Sequence, residues 1–371
     1  MTQVPRKVVS IETGSILKPL PPGWFVDYRE VEAVTTEEND LALNAETRWE
    51  MMADAGYLTP NELFFVRSHA PTPRIDASSW RLLIDGPGVR RSLELSYDDL
   101  LRMENVSVVR ALECAGNGRV FFDEQQGQET PGTQWRLGAI GVAEWDGISL
   151  GAILERAGLK GTARDVMLES LDAIRMRRPL PVEKALEEDT LLALGMNGEP
   201  LPPDHGFPAR VVVPRWAAVA SVKWVGRIHV SEGSLFSPWN TEKYVLTGGA
   251  FGEKREPVTA QVVKSALELA WPARLPRGRY EIQGRSWSPH DAISRVEYSV
   301  DGRPWRHARL VEPNIPGAWV RWSFAWNARP GDHEVQVKAT DKQGNSQPET
   351  VSHNELGYLY GGVVGHPISV Y

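Results

Sequence analysis

One cysteine, Cys114, occurs in 371 residues, and that scarcity removes whole classes of chemistry. A lone thiol cannot close an internal disulfide. There is no Cys-x-x-Cys pair for a dithiol, a structural zinc or an iron–sulfur cluster, and no Cys-x-x-Cys-His for covalent haem. No apolar run reaches the roughly 20 residues of a membrane-spanning helix. Basic residues are outnumbered, 41 Lys and Arg against 48 Asp and Glu, for a net charge of −7. Broad electrostatic binding to nucleic acid or an anionic membrane is therefore disfavoured. An anionic ligand would need a local cluster of arginines. Residues 1–7 lead into no apolar signal core and no twin-arginine pair. That predicts a cytoplasmic protein, or a periplasmic one if an export signal has been trimmed.

What is present is globular, 42% hydrophobic and 24% charged, and long enough for two or three domains with sizeable cores. Residues 1–60, with the Pro19-Leu20-Pro21-Pro22-Gly23 stretch and the acidic run Glu37-Glu38-Asn39-Asp40, read as an N-terminal extension wrapped on the body. Residues 61–250 alternate strand-like and helix-like runs. Strands are expected over 63–66, 80–84, 106–113, 210–213 and 222–230 from their apolar, β-branched character. Ser96 stands as a helix N-cap, a second helix is expected to start at Ser149-Leu150, and 182–194 has helical spacing. The mixture predicts an α+β domain. In residues 251–371 apolar residues alternate at Val296, Tyr298 and Val300, at Trp322, Phe324 and Trp326, and at Val335, Val337 and Ala339. Turn signals at Asp301-Gly302 and Gln343-Gly344-Asn345 separate them, which predicts an immunoglobulin-like β-sandwich.

Cys114 ends a strand-like run and opens the small-residue turn Ala115-Gly116-Asn117-Gly118, with Arg119 five positions on. A free cysteine is ordinarily a small buried hydrophobe. The sharper alternatives are an activated nucleophile and a ligand to a soft metal. Small residues favour a site, because they let a ligand approach the backbone.

Several ordered segments resemble the sulfite oxidase family of molybdenum enzymes. They are Phe65-Val66-Arg67-Ser68-His69-Ala70-Pro71, the cysteine turn, Trp135-Arg136-Leu137-Gly138-Ala139-Ile140, the 204–214 segment from Asp204-His205-Gly206 to Pro214, and Ser221-Val222-Lys223-Trp224. The resemblance implies a molybdopterin-binding catalytic domain over 61–250 and an immunoglobulin-like dimerisation domain over 251–371. It implies a molybdenum–molybdopterin cofactor with Cys114 as the metal ligand. Arg67, Arg119, Tyr244 and Trp135 would form the pocket for an oxyanion substrate, sulfite. His69, Asp172, His205, Arg210 and Lys223 would hold the pterin and its phosphate. Electrons would pass to an external acceptor such as a cytochrome, and the chain would form a homodimer.

Three departures from the family pattern bear on substrate. Gly118 stands where many members carry a larger residue, which predicts a more open rim. The tail offers Gly365 and Pro367 where animal members supply a third pocket arginine. Arg175, Arg177 and Arg178 enrich a loop that is small-residued elsewhere in the family. Another sulfur compound, nitrate or a sulfoxide therefore stands as the alternative substrate. A non-catalytic binding protein is the alternative of another class.

Overall fold

The computed structural model describes residues 16–28 and 43–371. The acidic run at 37–40 lies outside the described residues. Strands β1 (Phe25–Asp27), β2 (Leu43–Thr47) and β3 (Val66–Ser68) form one antiparallel sheet. It joins part of the N-terminal region to the body by backbone bonds.

Two five-stranded sheets make up the α+β domain. One holds β6 (Val106–Glu113), β7 (Ile140–Ser149), β10 (Leu191–Met196) and β11 (Glu199–Pro200), with β12 (Arg210–Val212) also paired to β10. The other runs β5 (Leu93–Ser96), β4 (Arg81–Asp85), β13 (Val225–Ser231), β8 (Asp165–Ser170), β9 (Arg177–Pro181), with only β13 and β4 parallel. Ser96 caps helix α1 (Tyr97–Leu101) with a reciprocal capping box through Asp99. Helix α2 (Val120–Gln126) follows the cysteine turn, and Ser149 caps α3 (Leu150–Arg156) by accepting from Ala152 N–H. Leu82, Ile84, Ile153, Leu154, Val225 and Ile228 belong to one buried core between these elements.

The helical spacing over 182–194 misleads. Only one turn forms, α4 (Val182–Ala185), and the apolar residues after it become β10. Every residue of β10 is buried, because Leu192 and Leu194 pack into one core and Leu191, Ala193 and Met196 into another. A strand covered on both faces loses its period of two and reads like a helix. The strand expected over 222–230 starts later, at Val225, and that over 63–66 shifts to β3, sharing only Val66 with it, with Phe64 and Phe65 in the segment before the strand.

A two-stranded pair, β14 (Val245–Leu246) and β15 (Glu256–Pro257), precedes the sandwich. One sheet is β16 (Lys264–Leu267), β18 (Gly278–Trp287), β22 (Trp319–Ala328), β21 (Arg309–Asn314). The other is β17 (Ala273–Leu275), β24 (Val364–Val370), β23 (Gly331–Asp341), β19 (Ile293–Val300), β20 (Arg306–His307). Ile282, Val296, Trp322, Val335 and Ile368 lie in the core between them. Tryptophans also fill the junction with the first domain: Trp49, Trp287 and Trp319 share a buried cluster with Phe121, Phe122 and Tyr360. Arg285 pairs with Glu268 at 2.6 Å and crosses the junction to the carbonyls of Met52, Gly56 and Tyr57. An apolar junction with saturated buried charges fixes the two domains against each other. Among the described residues no helix is long and apolar enough to cross a membrane.

Candidate active site

Strand β6 delivers Cys114 directly into its turn. Cys114 N–H donates to the Ala139 carbonyl at 2.9 Å, and its own carbonyl accepts from Asn117 N–H at 3.0 Å. The side chain is 6% exposed. It faces a cavity of about 730 Å3, open mouth included, whose wall also carries Arg67, His69, Asp172, His205, Arg210, Lys223 and Tyr244. Residues scattered over nearly 180 positions of sequence are thus brought to one place.

One group surrounds His205. The Arg210 guanidinium donates to the His205 carbonyl at 2.9 Å and the Ser221 carbonyl at 3.0 Å, and lies 5.2 Å over the Trp145 ring. Gly206 makes this possible. Its φ is +117°, and a Cβ there would come within 2.9 Å of Arg210 Cβ. Lys223 Nζ donates to Ser68 Oγ at 2.6 Å and the Asp204 carbonyl at 2.8 Å. Lys18 adds a cation from the N-terminal region. Its Nζ reaches the carbonyls of Glu62 and Phe64, while the N–H groups of Leu17 and Lys18 donate to the Asp204 carboxylate at 2.9 and 2.7 Å. Burial pushes Arg210 down to about 9 and both Lys223 and Lys18 down to about 7. Burial and then the cations Lys18, Lys223 and Arg210 push His205 well below its ordinary value. Asp172, buried beside them and accepting from Met176 N–H at 3.0 Å, is pushed up by burial and pulled back in part by Lys223.

Two buried donor atoms in this group, His205 Nε2 and Arg210 Nε, have no protein partner. Buried polar atoms are rarely left so, and clustered cations without enough anions are costly. The cradle therefore fits an anionic, hydrogen-bonding group such as a pterin with its phosphate. Cys114 is a single soft donor, and among the described residues no three His, Cys, Asp or Glu side chains cluster to hold a bare metal ion. A metal at Cys114 fits this chain only within a group that brings its other ligands.

The cradle sets a pH dependence. Lys18 and Lys223 have folded values near 7, below the roughly 10.4 of an unfolded lysine. Between these values the unfolded chain binds more protons, so stability rises with pH. Cofactor-free protein is expected to gain thermal stability from pH 7 towards 10. The slope is at most about 1.4 kcal/mol per pH unit per lysine, less whatever water at the mouth screens. Inorganic phosphate in the cradle should flatten that slope. Thermal melts across pH, with and without phosphate, measure it.

A second group surrounds the thiol. Arg67 donates to the Ser68 carbonyl and meets His69 Nδ1, both at 2.9 Å, and His69 Nε2 meets the Tyr244 hydroxyl at 2.9 Å. Tyr244 stacks on Tyr358 with ring centroids 5.2 Å apart. Burial pushes the Tyr244 phenol far up, against the pull of Arg67 and Arg119. Arg119, 7% exposed, does not line the main cavity. It packs against the cysteine turn, donating to the carbonyls of Thr133 at 3.0 Å and Gly357 at 3.3 Å, 5.1 Å over the Tyr358 ring. A Cβ on Gly116 or on Gly132 would stand 2.9 Å from its guanidinium, so the small residues make room for this arginine.

Other expectations shift. Trp135 is not on the cavity wall; it is fully buried in the core shared with Cys114, edge-on to Tyr28 at 5.3 Å. Gly118 does not open the rim. With φ +93° it faces Tyr360, and a side chain there would press into the second domain. Of the basic loop, Arg175 and Arg177 are exposed. Arg178 is buried and donates to the carbonyls of Trp239 and Val258, bracing the segments that flank Tyr244. Gly365 and Pro367 lie within β24, paired to β23. The tail residue that does reach the thiol group is Tyr358, which sequence reasoning missed.

The oxidoreductase molybdopterin binding domain family matches residues 69–239, and the Mo-co oxidoreductase dimerisation domain family matches residues 257–361. Sulfite oxidase of Gallus gallus is 37% identical over 334 residues, covering 83% of this chain and 72% of that protein. The chain belongs to the sulfite oxidase family. It is 36% identical to the mitochondrial sulfite oxidase of Homo sapiens, of whose length it spans 60%. Among solved structures, the sulfane dehydrogenase SoxCD of Paracoccus pantotrophus superposes with a TM-score of 0.83 at 27% identity, covering 97% of this chain and 96% of that one. The molybdopterin-binding domain match agrees with the cation-rich cradle around His205, Arg210 and Lys223.

Proposed function

We propose that the protein oxidises sulfite to sulfate on a molybdenum–molybdopterin cofactor and passes the two electrons to a separate acceptor such as a cytochrome. The observation that supports this most is the meeting of Cys114 with Arg67, His69 and Tyr244 on one cavity wall beside the His205–Arg210–Lys223 cradle, with Arg119 behind the cysteine turn. The cofactor, when bound, supplies a two-electron acceptor at the Cys114 thiolate. The chain's own residues do the rest. Arg67, on the cavity wall, holds and orients the oxyanion through charge-assisted hydrogen bonds, and Arg119 adds its charge from behind the cysteine turn. Tyr244, fixed through His69, keeps its proton and offers it to a substrate oxygen as a preorganised donor. His205, Arg210, Lys223, His69 and Asp172 hold the pterin. Sulfite and water give sulfate, two protons and two electrons, so an external acceptor closes the balance. The matched dimerisation domain supports a twofold homodimer.

A second reading keeps the cofactor and enlarges the substrate to another sulfur compound. It draws on the likeness to a sulfane dehydrogenase and on the absence of an arginine at Gly365 and Pro367. Purified protein should hold about one molybdenum per chain and reduce ferricyanide when given sulfite. A fully loaded protein that ignores sulfite but turns over with a persulfide or thiosulfate decides for the second reading.

A further inference from the structure

The cysteine turn is gripped by charges buried where the two domains meet. Glu113, directly before Cys114, is 3% exposed, and Lys264, at the start of β16, is 1% exposed. They pair at 2.7 Å. Lys264 Nζ also donates to the Asn117 carbonyl at 2.7 Å. One ammonium from the second domain therefore binds the residue before Cys114 and the third residue after it. The Glu113 carboxylate is filled by two more donors, Asn117 Nδ2 at 2.9 Å and the Trp287 indole N–H at 3.0 Å. Its carbonyl accepts from Gln261 Nε2 at 2.7 Å.

Stability gives little reason for such a pair. Burying two charges costs about what their attraction returns, and apolar replacements are often as stable. Geometry and field give a better reason. The turn holds two glycines and few backbone bonds of its own, such as Asn117 N–H to the Cys114 carbonyl, so contacts from outside add to what fixes its shape. A carboxylate beside a thiolate would also repel it; Lys264 cancels that charge while locking the turn from both ends.

We propose that Glu113 and Lys264 are positioning residues for Cys114, through which the second domain sets where the thiolate stands and the field around it. This rests on Cys114 being the metal ligand. The test uses the full-length holoenzyme with Lys264→Met, Lys264→Arg, Glu113→Gln and the double variant Glu113→Gln/Lys264→Met. Lys264→Met is expected to lower kcat by about 10- to 100-fold, the usual cost of losing an outer-shell partner, with KM changed by less than about threefold. It should also shift the Mo(V) EPR spectrum and change the alkylation rate of Cys114 in cofactor-free protein by about fivefold or more. Lys264→Arg should recover much of the loss, and the double variant, which leaves no lone buried charge, should sit closer to the parent than Lys264→Met. If Lys264→Met does not fold, Glu113→Gln carries the same spectroscopic and alkylation tests. Parental spectra and alkylation rates in both single variants overturn the inference. Cys114→Ser separates the two layers. Should it keep the parental spectrum, the metal-ligand reading itself fails; should it abolish the spectrum while the pair variants leave it unmoved, only the positioning role fails.

Discussion

Cys114→Ser removes sulfite-dependent ferricyanide reduction by about a thousandfold or more, some 4 kcal/mol at the transition state, while the protein stays folded. The two halves of that result have separate causes. A serine hydroxyl is nearly the size of a thiol, and the turn is held by backbone bonds to Ala139 and Asn117 and by the Glu113–Lys264 clamp, none of which uses sulfur. The melting temperature should therefore move by only a few degrees, about what 1 kcal/mol produces in a chain of this size. The chemistry does use sulfur. Thiolate is a soft, electron-rich ligand and is available near neutral pH, whereas an alcohol is neither. Alkylation gives an independent check. In loaded protein Cys114 should resist iodoacetamide, and stripping the cofactor should release it. Rapid labelling of fully loaded protein counts against every role assigned around it.

Much of this was legible in the residues, for reasons that differ by element. The caps at Ser96 and Ser149 are local: one side-chain oxygen satisfies one backbone donor within three residues. The sandwich strands alternate because one face meets the core and the other does not, as at Val296 and Val300. Strand β10 was illegible because both its faces are covered. In the site, the resemblance to the family's ordered segments, and no spacing rule, marks His205, Arg210 and Lys223, and the cavity does collect them. Lys18 and Tyr358 were missed because nothing near them in sequence marks their destination; each reaches the site only through the folding of remote segments. Trp135 failed in the opposite sense. A large aromatic beside a pocket motif reads as a wall, but its burial is complete and its neighbours are core residues. The Glu113–Lys264 pair spans about 150 positions and two domains, a distance at which no spacing rule operates.

The arginines carry the other large effect, and the two should fail differently. Arg119→Lys keeps a positive charge but loses the planar fork. The guanidinium is held by the carbonyls of Thr133 and Gly357 and lies over Tyr358; an ammonium cannot make both bonds and keep its charge in the same place behind the cysteine turn. Each lost charge-assisted bond is worth about 1.5–3 kcal/mol, so kcat/KM for sulfite should drop by about 10- to 150-fold. The loss should appear mainly in KM, with sulfate inhibition weakened in parallel, because on the proposed reading the charge of Arg119 acts on the anion before and after reaction alike. Arg67→Lys acts further along. Arg67 contacts His69, and His69 contacts Tyr244, so the change also loosens the phenol aimed at the reacting oxygen. Its loss should be of similar size but fall mainly on kcat, and Tyr244→Phe should reproduce it without adding to it in the double variant. Equal KM effects from Arg67→Lys and Arg119→Lys, with kcat untouched, would mean that the His69–Tyr244 chain orients nothing in the transition state. A parental KM for sulfite in Arg119→Lys would mean that this guanidinium does not read the oxyanion, and the larger sulfur substrate would then be the better fit to the pocket.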